Sequence, residues 1–351
     1  MRATVDRTGT DSHGRAAKIQ VRRIKKGDLA KAREVLELAF SDWYERQMGS
    51  RPRQVFGGAQ YVHHRWLMEP WGCFVAEEDG TKIVGTALAA AWGGIGIAGP
   101  VAVLTNYQNQ GIGQQLLRAM DEFFEENKTA LQGAVTYPTS PKHLYLYHQL
   151  GYHAKGLALV MSRPVDRRNG AAPVMPAAAA AAVKVKGTPF TARRFSSLEE
   201  AKKKATIARI HRITNAVCRG LDLGKEIEIV DGLALGDTLL LERGRDLLGF
   251  AIYHAPGVSE APVGSLYVKF LALDSAHKRT EHLEQFLVAL EELASDLGLA
   301  RVLVPVYLRY HAAYSTLVRC GYQVDITMVR MQRGKQEDYE DPTHLVLDDW
   351  R

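Results

Sequence analysis

The sequence has few cysteines and no long apolar run. Its three cysteines, Cys73, Cys218 and Cys320, lie far apart in 351 residues and match no metal-ligand spacing. We therefore expect buried free thiols in a reducing cytoplasm, and no metal cofactor. No stretch reaches the roughly 18 uninterrupted apolar residues of a membrane-spanning helix, so no membrane partner is expected. Residues 1–17 are polar and lack the apolar segment of a secretory signal, which predicts a disordered leader.

The chain also lacks a concentrated basic segment. Its formal net charge is +6, but lysine and arginine are spread along the sequence rather than clustered. A nucleic-acid partner is therefore not expected, because such proteins carry a basic patch or stripe. A mild positive balance suits an anionic small molecule equally well.

Composition divides the chain into two halves. Residues 164–188 contain Pro173, Pro176 and a run of six alanines, which is typical of a linker. We predict a first domain over 18–163 and a second over 189–335. Residues 336–351 would then form a C-terminal tail.

The two halves resemble each other at one constant offset, without gaps. The apolar strand 101–103 falls on 271–273, and the pair Gly151-Tyr152 falls on Gly321-Tyr322. One apolar helical face also recurs, at Leu116, Leu117, Met120 and Phe123 and again at Phe286, Leu287, Leu290 and Leu293. The pattern predicts a tandem duplication of one mixed α/β domain, each copy a mixed central sheet flanked by helices.

The clearest chemical signal is residues 108–113, Gln-Asn-Gln-Gly-Ile-Gly, between a predicted strand and a predicted helix over 114–126. A helix N-terminus offers unpaired N–H groups and partial positive charge. Gly111 and Gly113 let an anion approach the backbone, and a pyrophosphate suits such a loop. The loop is not the dinucleotide-binding fingerprint, because one glycine of that motif is missing. It is not a P-loop, because it has no Gly-Lys-Ser/Thr.

This loop resembles the Gln/Arg-x-x-Gly-x-Gly/Ala motif of the GNAT superfamily of acyl-CoA N-acyltransferases, with Gln108, Gly111 and Gly113 in the motif positions. Downstream, 146–152 reads Leu-Tyr-His-Gln-Leu-Gly-Tyr, which resembles a second motif of that family. The resemblance is strong over 18–163 and weak over 189–333. It implies acetyl-CoA as the acyl donor and a primary amine as the acceptor.

The resemblance also implies roles for individual residues. Main-chain groups of Val101 and Val103 would hold the pantetheine, and an N–H near Val103 or Leu104 would stabilise the oxyanion. The side chain of Gln108 would brace the pyrophosphate. The main-chain groups expected to bind the pyrophosphate belong to Gln110, Gly111, Ile112, Gly113 and Gln114.

Tyr147 occupies the family's general-acid position, and a phenol is neutral at pH 7 and can donate a proton. Tyr145 ranks below it because it lies on another helical face. No base is assigned, because the strand 93–104 contains no Asp or Glu. The remaining candidates are Asp42, Glu45, His63, His64, Glu77 and Glu78, and a water chain is an equal alternative.

Aromatic residues concentrated in the first half are candidates for an acceptor wall or for core packing: Phe40, Trp43, Tyr44, Trp66, Trp71 and Trp92. The acceptor itself stays open between small-molecule amines and protein amines, and homodimer formation also stays open. In the second half, Gly111, Gly113 and Tyr147 fall on Glu281, Leu283 and Leu317.

That replacement predicts a degenerate second domain that packs against the first or shapes its acceptor site. The sequence thus favours a cytoplasmic N-acetyltransferase whose first half works. The alternative is a non-catalytic acyl-CoA sensor or scaffold.

Overall fold

The computed structural model describes residues 18–52, 55–56, 58–166, 181–185, 187–334, 339 and 341–351. The predicted leader, 1–17, and most of the predicted linker, 167–180 and 186, lie outside the described residues. None of the helices in the described part of the chain combines the length and the apolar character needed to cross a bilayer.

Among the described residues, the first half contains six strands and four α-helices. They are β1 (Ile19–Arg23), α1 (Leu29–Met48), α2 (Tyr61–Met68), β2 (Cys73–Glu78), β3 (Lys82–Trp92), β4 (Ile95–Val103), α3 (Ile112–Glu126), β5 (Leu131–Thr136), α4 (Pro141–Gln149) and β6 (His153–Pro164).

The second half contributes eight strands and four helices among the described residues. They are β7 (Ala182–Lys184), β8 (Thr191–Arg194), α5 (Glu200–Val217), α6 (Gly224–Gly232), β9 (Gly236–Arg243), β10 (Asp246–His254), β11 (Ser265–Leu273), α7 (Thr280–Asp296), β12 (Arg301–Tyr307), α8 (His311–Arg319), β13 (Gln323–Gly334) and β14 (Val346–Asp348). Residues 182–184, predicted as linker, are therefore an edge strand paired with β8.

The element order of the first half recurs in the second. The bounds of β4, α4 and β6 reappear in β11, α8 and β13 at the offset that aligns the two halves in sequence. The apolar faces predicted on α3 and α7 are both buried. The mixed α/β fold class is confirmed, because parallel and antiparallel strand pairs share one sheet and helices pack on it.

The tandem pattern predicts a separate sheet for each half, but the two halves share one sheet. One sheet runs in the order β1-β2-β3-β4-β5-β13-β6-β12-β11-β10-β9-β8-β7. The last strand of each copy has crossed over, so that β13 pairs with β5 and β6 pairs with β12. The exchanged strands also pair with each other. Hydrophobic periodicity cannot reveal such an exchange, because both strands keep the same in-and-out pattern in either half.

Helices cover both faces of the sheet in the first half. Alternate residues of β2 point to opposite faces, so Phe74 packs with α3 whereas Val75 packs with α1 and α2. This arrangement leaves the C-terminal end of β4 and the start of α3 at one edge of the layered structure.

The C-terminal tail is an ordered part of the junction between the halves. Strand β14 pairs with β11, and Trp350 then packs against β5, where a Cβ added to Gly133 would overlap its ring. The guanidinium of Arg330 lies 3.2 Å from the centroid of the Trp350 ring and forms a buried ion pair with Asp348.

We predict that Gly133→Ala lowers the free energy of unfolding by about 1–3 kcal/mol, because the added methyl group displaces Trp350. A urea titration followed by fluorescence measures the change. Gly232→Ala is the matched control, since a Cβ there meets no atom within 4 Å. Equal urea midpoints for the two variants would contradict this account of the tail.

Candidate functional site

A gap opens between β4 and β5. These parallel strands pair only over Ile95, Gly96 and Ile97, and no ladder contact between them follows. On its other edge, β4 stays paired with β3 as far as Val103. Residues 98–103 of β4 therefore turn one main-chain edge towards a wedge-shaped opening.

The hydrogen-bond pattern shows which groups face that opening. The N–H of Leu104 donates to the Val84 carbonyl at 2.9 Å. In an antiparallel ladder, hydrogen-bonding direction alternates along the strand, so the main-chain groups of Val101 and Val103 point away from β3. Of the two N–H groups considered for the oxyanion, that of Leu104 is thus engaged, and that of Val103 points into the gap.

The predicted anion loop joins this strand to α3. Asn109 and Gly111 both have positive φ, at 65° and 78°, so the chain reverses sharply before the helix begins at Ile112. The first helical bond runs from the Gln115 N–H to the Gly111 carbonyl, at 3.1 Å. The N–H groups of residues 111–114 precede that bond and have no partner within the helix.

Free space surrounds these N–H groups. A Cβ built on Gly111 would meet no atom within 4 Å, and one on Gly113 would meet only Leu146 Cδ2, at 3.8 Å. Gly111 is required for its left-handed backbone, whereas Gly113 has an ordinary φ. The loop therefore offers an anion an open surface, unpaired N–H groups and the positive end of a helix.

The glutamines around the loop hold it in place. The amide of Gln108 donates to the Val103 carbonyl at 3.0 Å, which ties the end of β4 to the loop. The family resemblance predicts that this side chain braces a pyrophosphate, whereas in the structure it contacts the main chain of β4. Gln110 donates to the Asn106 carbonyl at 3.3 Å, and Gln114 donates to Gln149 in α4 at 2.6 Å.

Tyr147 lies on the buried face of α4, only 7% exposed, with its ring 5.5 Å from that of Tyr152 in a T-shaped contact. Its hydroxyl makes no hydrogen bond with any described residue. Burial, helped by the charge of Asp121, raises the pKa of Tyr147 well above its usual value, so the phenol stays protonated. Tyr145, 66% exposed, points elsewhere.

An aromatic wall lies on the β5 side of the gap. Tyr137, directly after β5, stacks on Trp43 of α1 at a centroid distance of 4.4 Å. Its hydroxyl shares a 2.5 Å hydrogen bond with that of Tyr44. Tyr137 is not among the aromatic candidates that the sequence suggested, although its place after β5 puts it beside the gap.

The other predicted aromatics play different parts. Phe40 packs edge-to-face on Phe56, Trp66 stacks on His63, and Trp71 is largely exposed. Trp92 is fully buried and donates to Glu226 of the second half at 3.2 Å.

Each candidate base already has a polar partner. Asp42 accepts from Thr105, Glu45 pairs with Arg51, His63 contacts Gln60, His64 lies against Glu226, Glu77 pairs with Arg22, and Glu78 accepts from Tyr107. These contacts single out no general base.

The second half builds the same gap but closes it. Strands β11 and β12 pair in parallel only over Ser265–Tyr267 and 301–303. Beyond that point, β14 hydrogen-bonds to β11 over residues 270–272 and occupies the edge equivalent to 100–102. Glu281 stands in the first turn of α7, and Leu317 is fully buried where Tyr147 stands in the first half.

Residues 69–154 match the model of the acetyltransferase (GNAT) domain. No curated protein matches the chain in sequence. Among solved structures, a provisionally assigned acetyltransferase from Pyrococcus horikoshii superimposes with a TM-score of 0.62 at 14% identity, covering 95% of both chains. A GCN5-related N-acetyltransferase from Sphaerobacter thermophilus gives 0.57 at 14% identity, covering 91% of this chain and 95% of that one. Both matches span the two halves, so the whole architecture is shared.

Proposed function

The chain has the fold of the GNAT superfamily, and from this premise we propose that it is an N-acetyltransferase that moves an acetyl group from acetyl-CoA to a primary amine. The active site would lie in the predicted domain 18–163. The observation that carries this proposal is the open gap beside Val101 and Val103, which ends on the glycine loop at the N-terminus of α3.

Acetyl-CoA fits this surface as an extended ligand. The main-chain groups of Val101 and Val103 would pair with the pantetheine amides as an added strand does. The N–H groups of residues 111–114 would bind the pyrophosphate, with Gln110 at the rim. The equivalent edge in the second half is taken by β14, which supports one working site per chain.

In the reaction, the neutral amine attacks the thioester carbon and an oxyanion forms. The Val103 N–H, held by the ladder with β3, would stabilise that charge without reorganising. When the tetrahedral intermediate collapses, the C–S bond breaks and the CoA thiolate takes the phenolic proton of Tyr147. The proton lost by the amine leaves through water or a base that we do not assign.

The wall formed by Trp43, Tyr44 and Tyr137 is the proposed acceptor surface. Its aromatic faces and paired hydroxyls suit an amine with an apolar or planar body. Small-molecule and protein amines both remain candidates, and we propose no homodimer contact.

A non-catalytic acyl-CoA sensor is the second candidate. Two observations favour it: β4 carries no acidic residue, and every candidate base already contacts another polar side chain. An acceptor screen that monitors CoA release separates the two functions. Turnover with any amine supports the enzyme, whereas tight binding without turnover across a broad panel supports the sensor.

We predict that Gly113→Ala weakens acetyl-CoA binding at least about tenfold, because the methyl group occupies space that the pyrophosphate needs. The free protein should keep or slightly raise its melting temperature, since the Cβ fits and alanine favours a helix. Calorimetric titration and thermal melting provide the two readouts. An unchanged dissociation constant would refute the loop assignment.

Substitutions at Gly111 separate charge from backbone strain. Both Gly111→Ala and Gly111→Glu suffer the left-handed φ of 78°, and the Cβ that both add meets no atom within 4 Å. Only glutamate places a negative charge beside the helix N-terminus, so it should weaken acetyl-CoA binding further than alanine does. Equal binding by the two variants would contradict an anion site here.

Tyr147→Phe should lower kcat about 100-fold with little change in the dissociation constant for acetyl-CoA. Its melting temperature should change little, because the hydroxyl makes no hydrogen bond with a described residue. Tyr145→Phe, on the exposed side of α4, is the control and should keep full activity. A Tyr147→Phe variant with unchanged kcat would exclude Tyr147 as the acid.

A further inference from the structure

A second group of chemically active side chains lies at the junction of the two halves, apart from the proposed acetyltransferase site. It consists of His64 from α2, Glu226 from α6 and His254 from the end of β10. Their side chains are 2%, 1% and 0% exposed. Sequence spacing could not reveal the group, because its members come from three elements that are far apart along the chain.

The three side chains point their polar atoms at one another. His64 Nε2 lies 2.9 Å from Glu226 Oε1, and His254 Nε2 lies 3.9 Å from the same oxygen. One nitrogen or oxygen from each residue falls within 4.8 Å of the other two. Ligand atoms about 2.0–2.2 Å from a shared ion would lie roughly 3–4 Å apart, which matches this spacing.

These converging atoms make no well-aligned hydrogen bond. His64 Nε2, Glu226 Oε1 and His254 Nε2 are all buried and lack a hydrogen-bond partner, although two of them are close together. Leaving buried polar atoms unsatisfied is unfavourable, and most are paired in folded proteins. A ligand that binds all three would remove that penalty at a single point.

The charge of Glu226 also calls for a cation. Within 4 Å, its charged or titratable neighbours in the described part of the chain are only the two histidines. The buried cations Arg65 and Lys269 are near enough to interact with Glu226, but both lie closer to Glu260, at 3.9 Å and 3.1 Å. In the described part of the chain no lysine or arginine lies within 4 Å of Glu226, which is unusual for a fully buried carboxylate.

Surrounding contacts orient the group. Trp92 Nε1 donates to Glu226 Oε2 at 3.2 Å and leaves Oε1 facing the histidines. His254 Nδ1 lies 3.2 Å from Glu260 Oε1, which places a carboxylate behind the imidazole, although neither atom makes a well-aligned hydrogen bond. A carboxylate behind a ligating histidine, fixing its tautomer, recurs in protein metal sites.

We propose that His64, Glu226 and His254 bind one Zn²⁺ ion that links the first half of the chain to the second. Two imidazoles and one carboxylate form a nitrogen-rich set that suits Zn²⁺ rather than Mg²⁺, which prefers oxygen ligands. The ion joins α2 to α6 and β10. This role is structural and does not depend on the acetyltransferase function.

The test uses the full chain without a histidine tag, stripped with dipicolinate and then titrated with Zn²⁺ against a chromophoric chelator. We expect one Zn²⁺ per chain and no uptake of Mg²⁺. Glu226→Gln and His254→Gln should each abolish this binding. His63→Gln is the matched control, since His63 contacts Gln60 and lies outside the group, and it should bind Zn²⁺ as the wild type does.

Melting temperature gives a second readout. Zn²⁺ should raise the melting temperature of the stripped wild type, because an ion bound to the folded state stabilises it. The melting temperatures of Glu226→Gln and His254→Gln should not change on adding Zn²⁺. Trp92→Phe should keep the stoichiometry but weaken binding about 10–100-fold.

If the ligand variants fail to fold, zinc-edge X-ray absorption on the wild type decides, with scattering from two imidazoles expected. A folded wild type that takes up no Zn²⁺ would overturn the proposal, as would variants that bind it equally well. The three side chains would then be a buried, proton-linked histidine–glutamate group.

Discussion

The early end of the parallel pairing between β4 and β5 is the constraint on which the working surface depends. A continuous ladder would consume the main-chain groups of Val101 and Val103, and no ligand could add to that edge. The opening places a strand edge that no other strand pairs with directly before a helix whose first N–H groups have no partner within the helix. The divergence of the two strands therefore provides the edge proposed for the pantetheine, next to the helix N-terminus proposed for the pyrophosphate.

The two halves share this geometry and differ in what fills it. In the second half β14 lies along the edge of β11, and the tail continues into the junction as Trp350 packs over Gly133. In the second half, the chain's own strand β14 therefore pairs with this strand edge. In the first half, no strand pairs with the equivalent edge. The exchange of β6 and β13 makes the halves inseparable, because each sheet segment is completed by the other's last strand.

The junction is held by polar as well as apolar contacts. Trp92 packs on Phe270 and also reaches Glu226, so it belongs to the core and to the buried histidine–glutamate group. Such a group is costly to bury unless its polar atoms are satisfied, and this cost is the basis for the proposed Zn²⁺ ion. Helix α2 packs against α1, which carries Trp43 and Tyr44, and also against α6 of the second half.

Local chemistry was readable from the sequence because it depends on short-range rules. Glycines before an amphipathic helix, the buried face shared by Leu116 and Met120, and the gapless internal repeat all follow from periodicity and backbone freedom. Four other features were decided by the tertiary structure alone. They are the orientation of the Val103 N–H into the gap while that of Leu104 bonds to β3, the stacking of Tyr137 on Trp43, the strand exchange, and the meeting of His64 with Glu226 and His254. Those features depend on which strand edges pair and which distant segments meet, and periodicity carries no record of either.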